Sequence, residues 1–118
     1  MSKTDFTLDT LLDMDDERFF YPSGHWVKIE ARRVPKSSNF PQGIKYSLTL
    51  HAPNNRRILG YDNAHLVPGD KNNNPYDHMH KGERIIKYPY QNAEQLLTDF
   101  YSDVEKILEL EREYEYET

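Results

Sequence analysis

The sequence predicts an α+β domain, an antiparallel sheet of about four strands with a C-terminal helix packed across one face. Three observations carry that prediction. Segments 25–34 and 44–51 alternate apolar and polar residues with period two, the mark of a half-buried strand. From Asn92 the period changes to 3.6. Between the strands lie turn-rich links rather than crossover helices, so successive strands should pair as antiparallel neighbours.

Residues 1–20 read as a lead-in containing one short helix. Leu8, Leu11 and Leu12 have the i, i+3, i+4 spacing of one helical face, and Thr7 or Asp9 offers a cap. In the first strand Val27, Ile29 and Ala31 share one face, and Lys28, Glu30 and Arg32 the other. Pro35 to Gly43 is a link. In the second strand Ile44, Tyr46, Leu48 and Leu50 alternate with Lys45, Ser47, Thr49 and His51. Pro53-Asn54-Asn55 is a tight reversal, since Asn tolerates positive φ. Arg56 to Asp62 forms the third strand. Residues 68–76, rich in Asn, Pro and Gly, read as a long loop. A fourth strand is expected over Glu83–Tyr88, stopped or marked as an edge by Pro89. Asn92 then caps the helix, with Gln95 three residues on completing a capping box. Leu96, Leu97, Phe100, Tyr101, Val104, Ile107 and Leu108 form its apolar stripe. The acidic tail, 109–118, has no second apolar face and is expected to fray.

The 118 residues suit a single domain spanning 1–118. The absence of cysteine excludes disulfides and thiolate metal sites. No apolar run is long enough for a membrane span or a signal-peptide core, so a cytoplasmic location without a membrane partner is expected. The net charge of −5 conceals a pattern. Residues 1–17 carry six acids and one base, residues 103–118 seven acids and two bases, and residues 18–102 twelve bases and seven acids. A basic middle can attract phosphates by counterion release, and acidic ends oppose or shield that attraction. Nine of the 15 aromatic residues are Tyr, suited both to interfaces and to base stacking.

The densest chemistry lies in Asp77-His78-Met79-His80-Lys81-Gly82-Glu83-Arg84. In an extended strand His78 and His80 point the same way, with Asp77 and Met79 opposite. Two imidazoles can divide the labour of RNA cleavage, one taking the ribose 2′-hydroxyl proton and the other protonating the leaving 5′-oxygen. Arg84 or Lys81 would stabilise the charged phosphorane. His51 joins them if its strand is adjacent. The same residues read as a polar loop, or as half of a zinc or iron site completed by Asp62 or Glu83. Nothing in the spacing demands the metal, and no cofactor is expected. In Gly60-Tyr61-Asp62-Asn63 the glycine suggests a bulge or a close backbone approach, and Asp-Asn is ordinary Asx-turn chemistry. The functional alternative has Asp62 orienting a histidine. Arg32, Arg57 and Lys45, with Arg33 and Arg56, offer a phosphate-tracking patch near Trp26, or simply guard sheet edges.

In their order, Gly60-Tyr61-Asp62-Asn63, the Asp77–Arg84 run, Tyr88-Pro89-Tyr90 and Leu96–Val104 resemble the TumE family of small bacterial toxins. The resemblance covers roughly residues 44–104. The link from His65 to Tyr76 is longer than expected for that family. The resemblance implies a growth-inhibiting protein neutralised by a cognate antitoxin, often one with a helix-turn-helix domain. RNA is the expected substrate, with His78 and His80 as acid and base, Asp62 or Asp77 orienting one of them, and Arg84 and Lys81 on phosphate. A homodimer is compatible with this reading. The competing classes are a non-enzymatic interaction module working through the acidic ends and a small His-x-His metalloprotein.

Overall fold

A computed structural model describes residues 6–38, 40–63 and 77–117, with only the backbone described for Phe6 and for 113–117. The loop expected over 68–76 lies outside the described residues. Eight elements follow in order: α1 (Phe6–Asp13), β1 (Glu17–Phe20), β2 (Trp26–Arg33), β3 (Ile44–His51), β4 (Arg57–Asp62), β5 (His78–Lys81), β6 (Arg84–Lys87) and α2 (Ala93–Glu117). The six strands form one antiparallel sheet in sequence order, β1 to β6, so each strand pairs only with its neighbours in the chain.

The α+β class is as expected, with six strands in place of about four. The two additions have a common cause. Both β1 and β5 are only four residues long. Every residue of β1 is exposed, so it shows no in–out alternation. The strand β5 alternates His and Met before ending in Lys81, a pattern with little apolar contrast. The β5–β6 link is a two-residue hairpin through Gly82 and Glu83. Gly82 takes φ +62, which a first central glycine supplies at no steric cost. The reversal between β3 and β4 is as read from the sequence, with Asn55 at φ 72.

One face of the sheet carries the core. Val27, Ile29, Leu48, Leu50 and Leu59 are fully buried, and Leu96, Phe100 and Val104 of α2 cover them. Leu11 of α1 joins the same cluster. The apolar stripe of α2 therefore does what its period predicted. Asn92 caps the helix, its Oδ1 accepting from Gln95 N at 2.7 Å. The reciprocal half of the expected box is not made, because the Gln95 side chain donates instead to Asp99 at 2.7 Å. The tail also departs from expectation, since α2 runs as helix through the acidic stretch to Glu117. A contact among the described residues ties the helix here to the residue just before β2. His25 is buried, with Nε2 2.5 Å from Glu111 and Nδ1 2.7 Å from the Ser23 hydroxyl.

Buried tyrosines stitch the sheet to what covers it. The Tyr61 hydroxyl donates to Asp103 at 2.5 Å, and that of Tyr88 to Asp99 at 2.7 Å. Burial first, and then these carboxylates, push both phenols well above the usual tyrosine range. Several tyrosines are thus core residues with a satisfied polar tip. No helix among the described residues is long and apolar enough to cross a membrane.

Candidate active site

The face of the sheet opposite α2 can be read as a grid, because residues directly opposed across an antiparallel ladder project to the same side. One row runs Arg18, Lys28, Thr49, Gly60, His80, Ile85 from β1 to β6. The next runs Glu30, Ser47, Asp62, His78, Lys87 from β2 to β6. Asp62, His78 and His80 therefore meet on this face through strand period and register alone.

The contact between Asp62 and His80 is direct, Oδ2 to Nε2 at 2.9 Å. A hydrogen bond there places a proton on His80 Nε2 and leaves Nδ1 as the atom that takes up or releases one. The two imidazole centroids are 6.4 Å apart. Their exposure differs. The His80 side chain is 18 % exposed, whereas His78 is 4 % exposed and Asp62 5 %. His80 is the member of the pair at the surface.

Gly60 lies beside His80 in the same row. A methyl group there would meet Arg57 Cδ and Thr49 Cγ2 at 3.6 Å and His80 Cβ at 3.7 Å. These are ordinary contacts, so the glycine is not sterically forced. Its effect is to leave a low floor between Thr49, Arg57 and His80. The same distances bring Arg57 to the edge of the site. Asn63 follows Asp62 but is structural. Its side-chain amide replaces a ladder pair, accepting from Tyr46 N and donating to Ile44 O, each at 2.9 Å.

The remaining sequence candidates fall elsewhere. Lys81 is on the helix side of the sheet, its ammonium 3.3 Å from Asp103. Arg84 opposes Lys81 in the hairpin and shares that side. Neither is brought to the histidines: Lys81 is one and three residues from His80 and His78 on a period-two strand, and Arg84 takes the side of Lys81 because the two are directly opposed across the turn. Asp77 also faces the other way. It accepts from the Tyr46 hydroxyl at 2.6 Å, and burial raises its carboxyl above the usual range against the opposing effects of that bond and of His78. Arg32 and Lys45 oppose each other on the open face, one row beyond Glu30 and Ser47. His51 is on the open face too, but β4 separates its strand from β5, and its ring stacks on Trp26 at 4.0 Å.

Sequence reasoning missed Lys87, which opposes His78 on the open face. Reading Lys81-Gly82-Glu83-Arg84 as a hairpin turn would have found it, since that register carries 78 onto 87. Among the described residues no cluster of three or more His, Asp or Glu has the geometry to hold a metal ion. The arrangement offers a carboxylate-oriented imidazole, a second imidazole behind it, and a cation at its edge.

A family model described as Toxin TumE matches residues 8–108. No curated protein and no solved structure matches the chain.

Proposed function

The chain belongs to the TumE toxin family, and from that premise we propose that it is the toxin component of a bacterial toxin–antitoxin system that cleaves RNA by metal-independent acid–base chemistry. The observation that carries this reading is the Asp62–His80 pair, at 2.9 Å, beside His78 on the face of the sheet opposite α2. His80 Nδ1 takes the proton of a ribose 2′-hydroxyl as that oxygen attacks the adjacent phosphorus. His78 gives a proton to the departing 5′-oxygen, leaving a 2′,3′-cyclic phosphate on one product and a free 5′-hydroxyl on the other. Asp62 fixes the His80 tautomer and stabilises the imidazolium formed when His80 accepts the proton. Among the described residues Arg57 and Lys87 are cations brought to this side of the pair by contact and register, and they take the phosphate-binding role in place of Lys81 and Arg84. Arg32 and Lys45 lie along the same face and bind flanking phosphates. A cognate antitoxin with a helix-turn-helix domain neutralises the protein in the cytoplasm.

The test compares wild-type protein with His80→Ala and His78→Ala in growth arrest on induction and in cleavage of an end-labelled RNA. Each substitution is expected to lower the cleavage rate by about a hundredfold or more, the scale of positioned proton transfer, with circular dichroism unchanged. Cleavage and growth arrest that survive both substitutions would overturn the assignment.

A further inference from the structure

One feature of the open face plays no part in the acid–base pair. At its β1 end, Phe20, Trp26 and His51 stand side by side on three adjacent strands, with nearly parallel rings. Trp26 and His51 stack at 4.0 Å and 11°, and Phe20 and Trp26 at 6.1 Å and 27°. The guanidinium of Arg18 sits over the indole, 5.4 Å from its centroid. The indole N–H is tied to Asn55 at 3.1 Å, which fixes the plane of the ring. The column is closed at neither end by another ring of the described residues. Phe20 is its terminal member, and 70 % of its surface is exposed.

A phenyl ring this exposed gains little from packing beyond its one stacked neighbour, and its surroundings favour a particular ligand. Burial lowers the affinity of His51 for a proton, and Arg57, Arg18 and Lys28 add to that against the Asn55 carbonyl, which favours the uncharged ring in the stack. The cations of this end belong to the row beside the column. Arg18 and Lys28 begin the row that reaches Gly60 and His80, and the Lys28 ammonium is shared with Glu30 at 3.1 Å and Asp16 at 3.8 Å, partners that a phosphate would have to displace. From β1 to β5 that row spans roughly 19 Å at the usual strand spacing, a length that an extended single strand covers in a few nucleotides. Flat rings next to a basic track are the two requirements of single-stranded nucleic acid binding.

We propose that the Phe20–Trp26–His51 column is a base-stacking platform for single-stranded RNA, with a base laid on the outer face of Phe20 and the following phosphates led by Arg18 and Lys28 toward His80. The platform rests on RNA being the substrate, but it is a binding site separate from the acid–base pair and is tested without cleavage. Trp26 is the chain's only tryptophan, so its fluorescence reports on the column directly.

The experiment titrates His80→Ala protein, which leaves the RNA intact, with a single-stranded oligouridine, the same length of RNA duplex, and heparin. Single-stranded RNA is expected to quench Trp26 emission. Duplex and heparin, which offer phosphate or sulfate charge without a free base, are expected to leave it nearly unchanged. Adding Phe20→Ala is expected to weaken oligouridine binding about tenfold, the scale of losing one stacked base, and Phe20→Tyr to restore it. Three results overturn the platform: emission insensitive to oligouridine, equal quenching by heparin, or Phe20→Ala binding as tightly as its parent while converting a dimer to a monomer. The last would make Phe20 a contact between two copies. Emission insensitive to oligouridine while the wild-type protein still cleaves RNA would remove the platform and leave the acid–base reading standing. Quenching without cleavage would do the reverse.

Discussion

Asp77 shows how one position decides what a carboxylate is for. It is adjacent to His78 in sequence, yet strand period turns it to the opposite side, where it accepts from Tyr46. Its carboxyl is raised by burial, so folding favours the neutral acid. A group of that sign contributes stability below its unfolded pKa and loses the contribution as pH rises through the folded one. Asp77→Asn keeps an acceptor for the Tyr46 hydroxyl and removes the buried charge. Urea unfolding at pH 7 is therefore expected to find Asp77→Asn more stable than wild type, with the two converging near pH 3.5. A variant less stable at pH 7 would show that the ionised carboxylate is needed. At this scale the sequence was partly legible. The His78–His80 pair and an orienting Asp62 could be read from period two and residue type. The sides taken by Lys81 and Arg84 could not, because they depend on where the hairpin turns.

The helix α2 was the most legible element, since both its cap and its stripe are local signals. Asn92 Oδ1 holds the Gln95 amide at 2.7 Å. Asn92→Ala is expected to cost about 1 kcal/mol, measurable as a shift in the urea midpoint with little change in slope. The strands β1 and β5 were illegible for the opposite reason. Each is four residues long, and neither alternates strongly between apolar and polar. Their strand state is set by the neighbour they pair with, β2 and β4 respectively. The continuation of α2 past Leu108 was likewise hidden, because the holding contact, His25 to Glu111, joins residues far apart in the chain.

Seen whole, the molecule has two electrical sides. The open sheet face carries Arg18, Lys28, Arg32, Lys45, Arg57 and Lys87 against Glu30 and Asp62, while the covering helix contributes the acids after residue 102 against Lys106 and Arg112. The C-terminal acidic block thus lies on the helix layer, whereas the N-terminal block meets the basic strands, with Asp16 3.8 Å from Lys28 and Asp9 3.6 Å from Arg33. Replacing Glu113, Glu115 and Glu117 together by Gln retains good helix formers and removes three negative charges. RNA affinity is expected to rise about two- to tenfold at low salt, with the gain vanishing near 0.5 M salt, where the screening length falls to a few ångströms. An affinity unchanged at low salt would show that the acidic end of α2 does not oppose RNA binding.

The strictly sequential order of the sheet also has a consequence for synthesis. Each strand finds its partner as soon as the next hairpin leaves the ribosome, because no pairing waits for a distant segment. Asp62 meets the histidines only when β5 has emerged, after four earlier strands are available to pair. The helix that seals the apolar face comes last of all. A nascent chain therefore reaches a stage at which Asp62 and His80 are paired while Leu48, Leu50 and Leu59 are still uncovered by α2. A chain ended by a stop codon between β6 and α2 is therefore expected to be insoluble and degraded although it retains Asp62, His78 and His80, an outcome checked by its soluble fraction after induction.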